Sequence, residues 1–309
     1  MQYPRLSYLP FLLERLQAFF ASSLIEPEVA PHQGWFSCEG VPLKWHYPLG
    51  LLYDLYSGAE PAHPGNGQVV EQSTAHGFRA QQQSEEGDDE AQLPPIPWRL
   101  TVHFTSFPTA HLIPLDGEMK SLHDSYINNV KEADFLRNGT AKTVMSLSEA
   151  DSRQLWRSVE TQHLASFNQI NNKLLNPTGG APLRHIPIRV YLPSTATGHP
   201  IIPEASPAQS PNPEGEGPPA LSALPAPGQG SLKVVQAPIT PTLPGSRQLQ
   251  TLGTALNSLL PTLFVSRRSP VLAQPVLHGA AVPLSAGLED LMKAAAYGDG
   301  WLHVGVFML

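Results

Sequence analysis

Two stretches of biased composition decide how much of this chain can pack into a core. Residues 57–95 hold seven acids (Glu60, Glu71, Glu85, Glu86, Asp88, Asp89, Glu90) and one base, Arg79. The run from Gln81 to Glu90 offers almost nothing apolar to bury, so it reads as disordered and solvated. Residues 193–230 contain ten of the 33 prolines, three acids and no base. Pro218-Pro219, Pro225 and Pro227 favour extended chain, so this stretch reads as a linker or loop insertion. An acidic docking tail and a ligand for proline-reading domains are the functional alternatives. The whole chain has 309 residues and a net charge of −7, while the two stretches together carry −9. The remainder, with 18 basic and 16 acidic residues, has no basic stripe of the kind that binds nucleic acid.

No apolar run approaches the ~18 residues that a membrane-spanning helix needs. The start, Met1-Gln2-Tyr3-Pro4-Arg5, lacks the basic region and cleavage site of a signal peptide. A single cysteine, Cys38, excludes an internal disulfide and a multi-cysteine zinc site. A reducing cytosol is therefore expected.

Three blocks remain around the inserts. The first shows an amphipathic helix at about 10–24, with Leu12, Leu13, Leu16, Phe19, Phe20 and Leu24 at 3.6-residue spacing. A short strand (Trp35 to Glu39), an extended segment (Val41 to Trp45) and a short helix (Leu49 to Tyr56) follow. Leu100, Val102 and Phe104 then alternate as in a half-buried strand. The second block is helical. Met119, Leu122, Tyr126, Val130 and Ala133 line one helix face that Gly139 is placed to close. Ser148 is placed to cap another helix, and a further apolar face runs from Leu164 to Leu174. The third block reads as a strand at 186–191, the insert, and a strand at about 232–240. A helix at about 247–260, an extended stretch around 276–279, a helix at about 284–297 and a strand at 301–307 complete it. Small mixed sheets crossed by a helix suit a ubiquitin-like β-grasp in blocks one and three.

The search for chemistry returns little. The twelve histidines show no ligand spacing, and His103 and His303 are expected on the outer faces of their strands. No phosphate-binding glycine loop, G-x-S-x-G or H-E-x-x-H is present. Cys38 is the only thiol that could act as a nucleophile. It lies beside Trp35, Phe36 and Glu39, a setting for a core cysteine rather than an activated one. Asn138-Gly139-Thr140 reads as a helix-ending turn rather than a glycosylation site. Lys131 sits just off the apolar face of its helix, where spacing alone gives a solvated lysine with its stem on the core edge.

Several stretches resemble the autophagy protein 5 family. The most specific runs from Glu39 to Leu55, with Lys44-Trp45-His46-Tyr47-Pro48 inside it. Pro97 to Phe104, Ser106-Phe107-Pro108, Lys131-Glu132-Ala133-Asp134, Arg153-Gln154-Leu155-Trp156 and Ile170 to Leu174 continue the family order. Arg184 to Tyr191, Gln250 to Gly253, Val276 to Gly279 and Trp301 to Val304 complete it. The inserts suggest a filamentous-fungal member.

The resemblance implies an α+β chain with two ubiquitin-like β-grasp domains flanking a helix-rich domain. The first would span 1–108 with its acidic insert at 57–95, the helix-rich domain 109–180, and the second 181–309 with its proline-rich insert at 193–230. It also implies a scaffold rather than an enzyme, with no cofactor and no metal. Lys131 matches the family's acceptor lysine, which forms an isopeptide bond with autophagy protein 12. Activating and conjugating enzymes (E1-like and E2-like) would supply the cysteines for that transfer, and Glu132 or Asp134 would orient the amine. The conjugate would bind the coiled-coil autophagy protein 16. It would promote attachment of autophagy protein 8 to phosphatidylethanolamine, with E3-like stimulating activity. Cytoplasmic placement and peripheral association with the preautophagosomal membrane follow. The alternatives are a non-conjugated ubiquitin-like interaction protein and a thiol ligase using Cys38. Family members usually begin with a further helix and strand, and this chain starts after that point. A truncated gene reading or an impaired variant is implied, with a first sheet lacking one edge and a weaker hold on autophagy protein 16.

Overall fold

The computed structural model describes residues 2–58, 97–175, 183–193 and 232–309. Most of the two biased inserts lies outside the described residues.

The N-terminal unit begins with helix α1 (Leu13–Phe20), continuous with single 3-10 turns at Leu9–Leu12 and Ala21–Ser23. Pro10 starts the first turn, where its missing N–H costs nothing. Strands β1 (Trp35–Cys38) and β2 (Val41–Pro42), helix α2 (Leu49–Tyr56) and strand β3 (Thr101–His103) follow. The sheet has the order β2-β1-β3, with both outer strands antiparallel to β1. Among the described residues β3 has a neighbour on one side only.

One expectation about α1 fails. Leu12 and Leu13 are buried, but Phe19 is 76% exposed and Phe20 also lies at the surface. The helix gives way to a 3-10 turn after Phe20, and the expected apolar stripe reaches the core through Leu12, Leu13 and Leu16 but not at its Phe19–Phe20 end. The two rings instead pack edge to face on each other, with centroids 4.9 Å apart.

Helix α3 (Lys120–Asn138) opens the helical region, followed by α4 (Lys142–Met145), α5 (Glu149–Glu160) and α6 (Leu164–Leu175). Asp116 caps α3, accepting from the backbone N–H groups of Lys120 and Ser121 at 2.8 and 2.6 Å. Those bonds and the Ser121 hydroxyl hold its carboxyl well below the usual range. Gly139 closes α3 in the left-handed conformation, at φ +71°. Ser148 caps α5 by accepting from the Asp151 N–H.

The C-terminal unit contains β4 (Ile188–Pro193), β5 (Leu232–Gln236), α7 (Leu252–Leu259), β6 (Ala273–Leu277), β7 (Ala280–Ala281), α8 (Leu288–Ala295) and β8 (Leu302–Met308). Its sheet order is β5-β4-β8-β6-β7, with β4 and β8 parallel at the centre. Helix α7 starts later than the apolar spacing suggests. Thr251 and Thr254 form a reciprocal capping box there, while Thr242 and Leu249 pair as an isolated bridge upstream.

Two cores result. One gathers Leu13, Phe36, Leu52, Leu122, Tyr126 and Leu155 around the first sheet and the helical region. The other gathers Val190, Leu256, Leu288, Leu302 and Val304 around the second sheet. Leu51 of α2 belongs to the second core, and Leu52 to the first.

Candidate functional site

Lys131 projects from the C-terminal half of α3. Val130 and Ala133 on either side are buried, and Lys131 itself is half-buried. Among the described residues its ammonium has no hydrogen bond or ion pair. That would be unremarkable on an uncharged helix, but the motif supplies two acids beside it. Both are committed elsewhere, contrary to the expected orienting role.

Glu132 accepts from Arg189 at 2.8 Å. Asp134 is fully buried. It accepts from the Asn138 side-chain amide at 2.6 Å and from the Val144 N–H at 3.0 Å. The second bond anchors α4 against α3. Asp134 lies three residues after Lys131, at a spacing that pairs charges on an open helix. Its two bonds take it out of that role.

Arg189 is the most connected cation near this turn. Its Nε donates to the Gln236 side chain at 2.9 Å, and one terminal nitrogen donates to the Asn129 side chain at 3.0 Å. The other terminal nitrogen serves Glu132. The guanidinium also stacks over the Trp301 ring, 3.8 Å from its centroid. Trp301 in turn donates to the Asn129 carbonyl at 3.0 Å. Further contacts tie α3 to the C-terminal unit. The Tyr126 hydroxyl donates to the Gly298 carbonyl at 2.9 Å. The N–H groups of Arg184 and His185 donate to the carbonyls of Arg137 and Leu136, the last turn of α3.

His46 of the Lys-Trp-His-Tyr-Pro run packs between the rings of Trp45 and Tyr47. Burial, then the charges of Lys44 and Arg189, hold its pKa down to about 4. Tyr47 meets Tyr191 of β4 edge to face, at 5.4 Å. The motif therefore forms a seam between the two units. Arg5 pairs with Asp54 of α2 on another side of that seam. Burial raises the Asp54 pKa, with the Arg5 bond and charge opposing it.

His303 overturns its expected outward placement. It is buried, bonded through Nδ1 to the Tyr191 hydroxyl at 2.7 Å and through Nε2 to Asp299 at 2.9 Å. Its ring lies against Tyr191 of the adjacent strand β4, and Tyr47 and Tyr297 pack against this pair, so alternation does not mark an outer side. Cys38 is a buried core residue, its Sγ 3.5 Å from the Tyr56 carbonyl. Among the described residues no group of His, Cys, Asp and Glu could hold a metal ion, and no helix is long and apolar enough to cross a membrane.

A protein with two small β-grasp sheets on either side of a helical bundle belongs to the class of ubiquitin-like modules joined into one scaffold. Family models define it further. They are described as the UblA domain, the alpha-helical bundle region and the UblB domain of autophagy protein ATG5, matching residues 1–104, 119–177 and 185–306. Autophagy protein 5 of Phaeosphaeria nodorum is 51% identical over 309 residues, covering 100% of this chain and 87% of the relative. Autophagy protein 5 of Aspergillus oryzae is 48% identical, with coverage of 100% and 87%. The crystal structure of Kluyveromyces marxianus Atg5 matches the fold with a TM-score of 0.60 at 19% identity, covering 98% of this chain and 84% of that one. The chain belongs to the autophagy protein 5 family.

Proposed function

We propose that this chain is a non-catalytic autophagy scaffold that accepts autophagy protein 12 on Lys131. The observation that carries this reading is the setting of that lysine. It stands on a helix fixed at both ends, half-exposed, with both neighbouring carboxylates bonded to other groups.

The chemistry asks only for an amine. The donor's C-terminal glycine arrives as a thioester on a conjugating enzyme that an activating enzyme has loaded. The Lys131 Nζ lone pair attacks the thioester carbonyl carbon. The isopeptide C–N bond forms, the C–S bond breaks, and the thiolate leaves with its electron pair. The ammonium proton passes to solvent. The rigid α3 turn contributes position, which lowers the entropic cost of the encounter.

The conjugate is proposed to bind autophagy protein 16 and to stimulate attachment of autophagy protein 8 to phosphatidylethanolamine. That work is cytoplasmic, at the periphery of the preautophagosomal membrane. The domain limits proposed for it are 1–108, 109–180 and 181–309. Burial of Cys38 supports the scaffold over a thiol ligase, because a transfer thiol must be reached by its substrate.

Lys131→Arg is expected to fold normally and to give no conjugate on denaturing gels when incubated with the donor and its two enzymes. An undiminished conjugate band overturns the assignment.

A further inference from the structure

We propose that Phe135, with Met145 close by, is the apolar contact on which the thioester-loaded conjugating enzyme docks when it reaches Lys131. The inference rests on the reading of Lys131 as acceptor and names the surface that brings the thioester to it.

Phe135 follows Lys131 by four residues on α3. That spacing stacks two side chains along one helix face, with Cβ atoms about 5–6 Å apart. The outward stripe of this part of α3 is otherwise polar, since Asp124, Asn128 and Glu132 are the residues exposed with it. Phe135 is the one large apolar side chain in the stripe, and it is 56% exposed. Met145, the last residue of α4, is 68% exposed. One hydrogen bond ties the two positions together. Asp134, directly before Phe135, accepts at 3.0 Å from the N–H of Val144, directly before Met145.

A single exposed apolar side chain is ordinary on a protein surface. Two features set this one apart. Among the described residues the other exposed phenylalanines, Phe19 and Phe20, cover each other, whereas no ring packs on Phe135. Its backbone is also held firmly. The Phe135 carbonyl accepts from the Gly139 N–H at 2.7 Å. The next two carbonyls, of Leu136 and Arg137, accept from the His185 and Arg184 N–H groups at 3.1 and 2.7 Å. An apolar side chain on a fixed backbone has less freedom to lose when a partner covers it, so it serves well as an anchor.

The occupant follows from the reaction. An isopeptide bond at Lys131 needs the thioester carbonyl carbon at bonding distance from Nζ. Whatever carries the thioester must then overhang the helix one turn to either side of Lys131, and on the C-terminal side that turn presents Phe135. The donor is attached by its last residue, so its tail separates its body from the reacting bond. The enzyme holds the sulfur within its own fold and is the nearer body. Covering this turn also strips water from no unpaired carboxylate of the motif, because Glu132 is bonded to Arg189 and Asp134 to Asn138 and Val144.

The test compares Phe135→Ala, Phe135→Leu and Met145→Ala with the parent, each in the full chain. Transfer from a preformed donor thioester on its conjugating enzyme is followed in single turnovers at rising concentrations of the chain. Phe135→Ala is expected to raise the half-saturating concentration about tenfold and to leave the saturated rate within about twofold of the parent. Met145→Ala is expected to raise it about threefold, and Phe135→Leu to restore most of the parent value. Titration with the enzyme alone, carrying no donor, reads docking by itself, and Phe135→Ala is expected to weaken it by the same factor. An unchanged half-saturating concentration overturns the inference. So does a fall confined to the saturated rate, which marks a residue that only shapes the helix. If Phe135→Ala weakens the loaded enzyme but not the bare one, the donor covers the patch and the inference falls. Lys131→Arg separates this inference from the reading beneath it. Conjugation that survives Lys131→Arg refutes the acceptor assignment, whereas lost conjugation with Phe135→Ala matching the parent refutes the docking surface alone.

Discussion

The two ubiquitin-like units share a half and differ in the other half. In both, a helix leads into a two-residue hairpin, a short helix and a final strand: α1, β1, β2, α2, β3 in the first and α7, β6, β7, α8, β8 in the second. The hairpin turns match residue by residue. Glu39-Gly40 has φ values of +49° and +81°, and His278-Gly279 has +53° and +81°. Positive φ at both central residues is the twist-matched turn that hairpins favour. Val41-Pro42-Leu43 and Val282-Pro283-Leu284 then place a buried leucine under each sheet. The difference is on the far side of the last strand. There β8 pairs in parallel with β4, which itself pairs with β5, whereas β3 faces a groove of about 580 Å³ lined by Leu9, Leu12, Leu16, Trp98, Leu100 and Val102. One strand is central and dry; among the described residues its counterpart is an edge. Equivalent positions should therefore differ in cost.

Leu302→Ala in β8 should lose about 2–5 kcal/mol, because a fully buried leucine leaves a cavity between paired strands. Val102→Ala in β3 should lose less than about 1 kcal/mol, since that side chain is only half-buried beside the groove. Urea unfolding midpoints give both values, and equal costs would break the comparison.

The seam between the units should show itself in acid. The His46 pKa of about 4 lies below its usual 6.5. The unfolded chain thus binds a proton that the folded chain refuses. Stability from this group is present above pH 6.5 and is lost as the pH falls toward 4. The loss should reach about 2–3 kcal/mol, and His46→Gln should flatten it. Unfolding curves at pH 7 and pH 4.5 that shift equally in both proteins would remove His46 from the account.

The hairpin pair gives the smallest and most controlled contrast. Gly40→Ala meets open space and pays only for its left-handed backbone, about 1 kcal/mol. Gly279→Ala pays the same and also brings its Cβ to 3.2 Å from Asp54 and 3.3 Å from Arg5. Its midpoint should fall further. Identical shifts would mean that the Arg5–Asp54 pair yields freely.

Much of this architecture was legible in the residues. Apolar spacing located α2, α3 and the main strands, and Ser148 and Gly139 announced their caps correctly. Misreadings came where tertiary partners override pattern. Phe19 and Phe20 keep the helical spacing of α1 but stay at the surface among the described residues. Asp54, on which the apolar spacing says nothing, is buried in α2 and meets Arg5, 49 residues away. His303 is inside because Tyr47 and Tyr297 pack against the ring pair it forms with Tyr191. The site divides in the same way. The motif around Lys131 was visible as a string, but nothing in the string told that Glu132 belongs to an arginine 57 residues downstream. Val-Pro-Leu follows both Xaa-Gly turns, directly after Gly40 and two residues further on after Gly279, a sign of kinship beside the shared pattern of a small sheet crossed by a helix.

The adjacent residues Leu51 and Leu52 carry one more implication. They turn α2 into a wall shared by two cores, with one leucine in each room. Domains joined by a polar interface can rock against each other. Here any swing of the first unit would drag Leu51 out of the second core and expose it to water. A modifier attached at Lys131 would accordingly ride on a single stiff body. Its reach would be set by its own tail and the lysine stem.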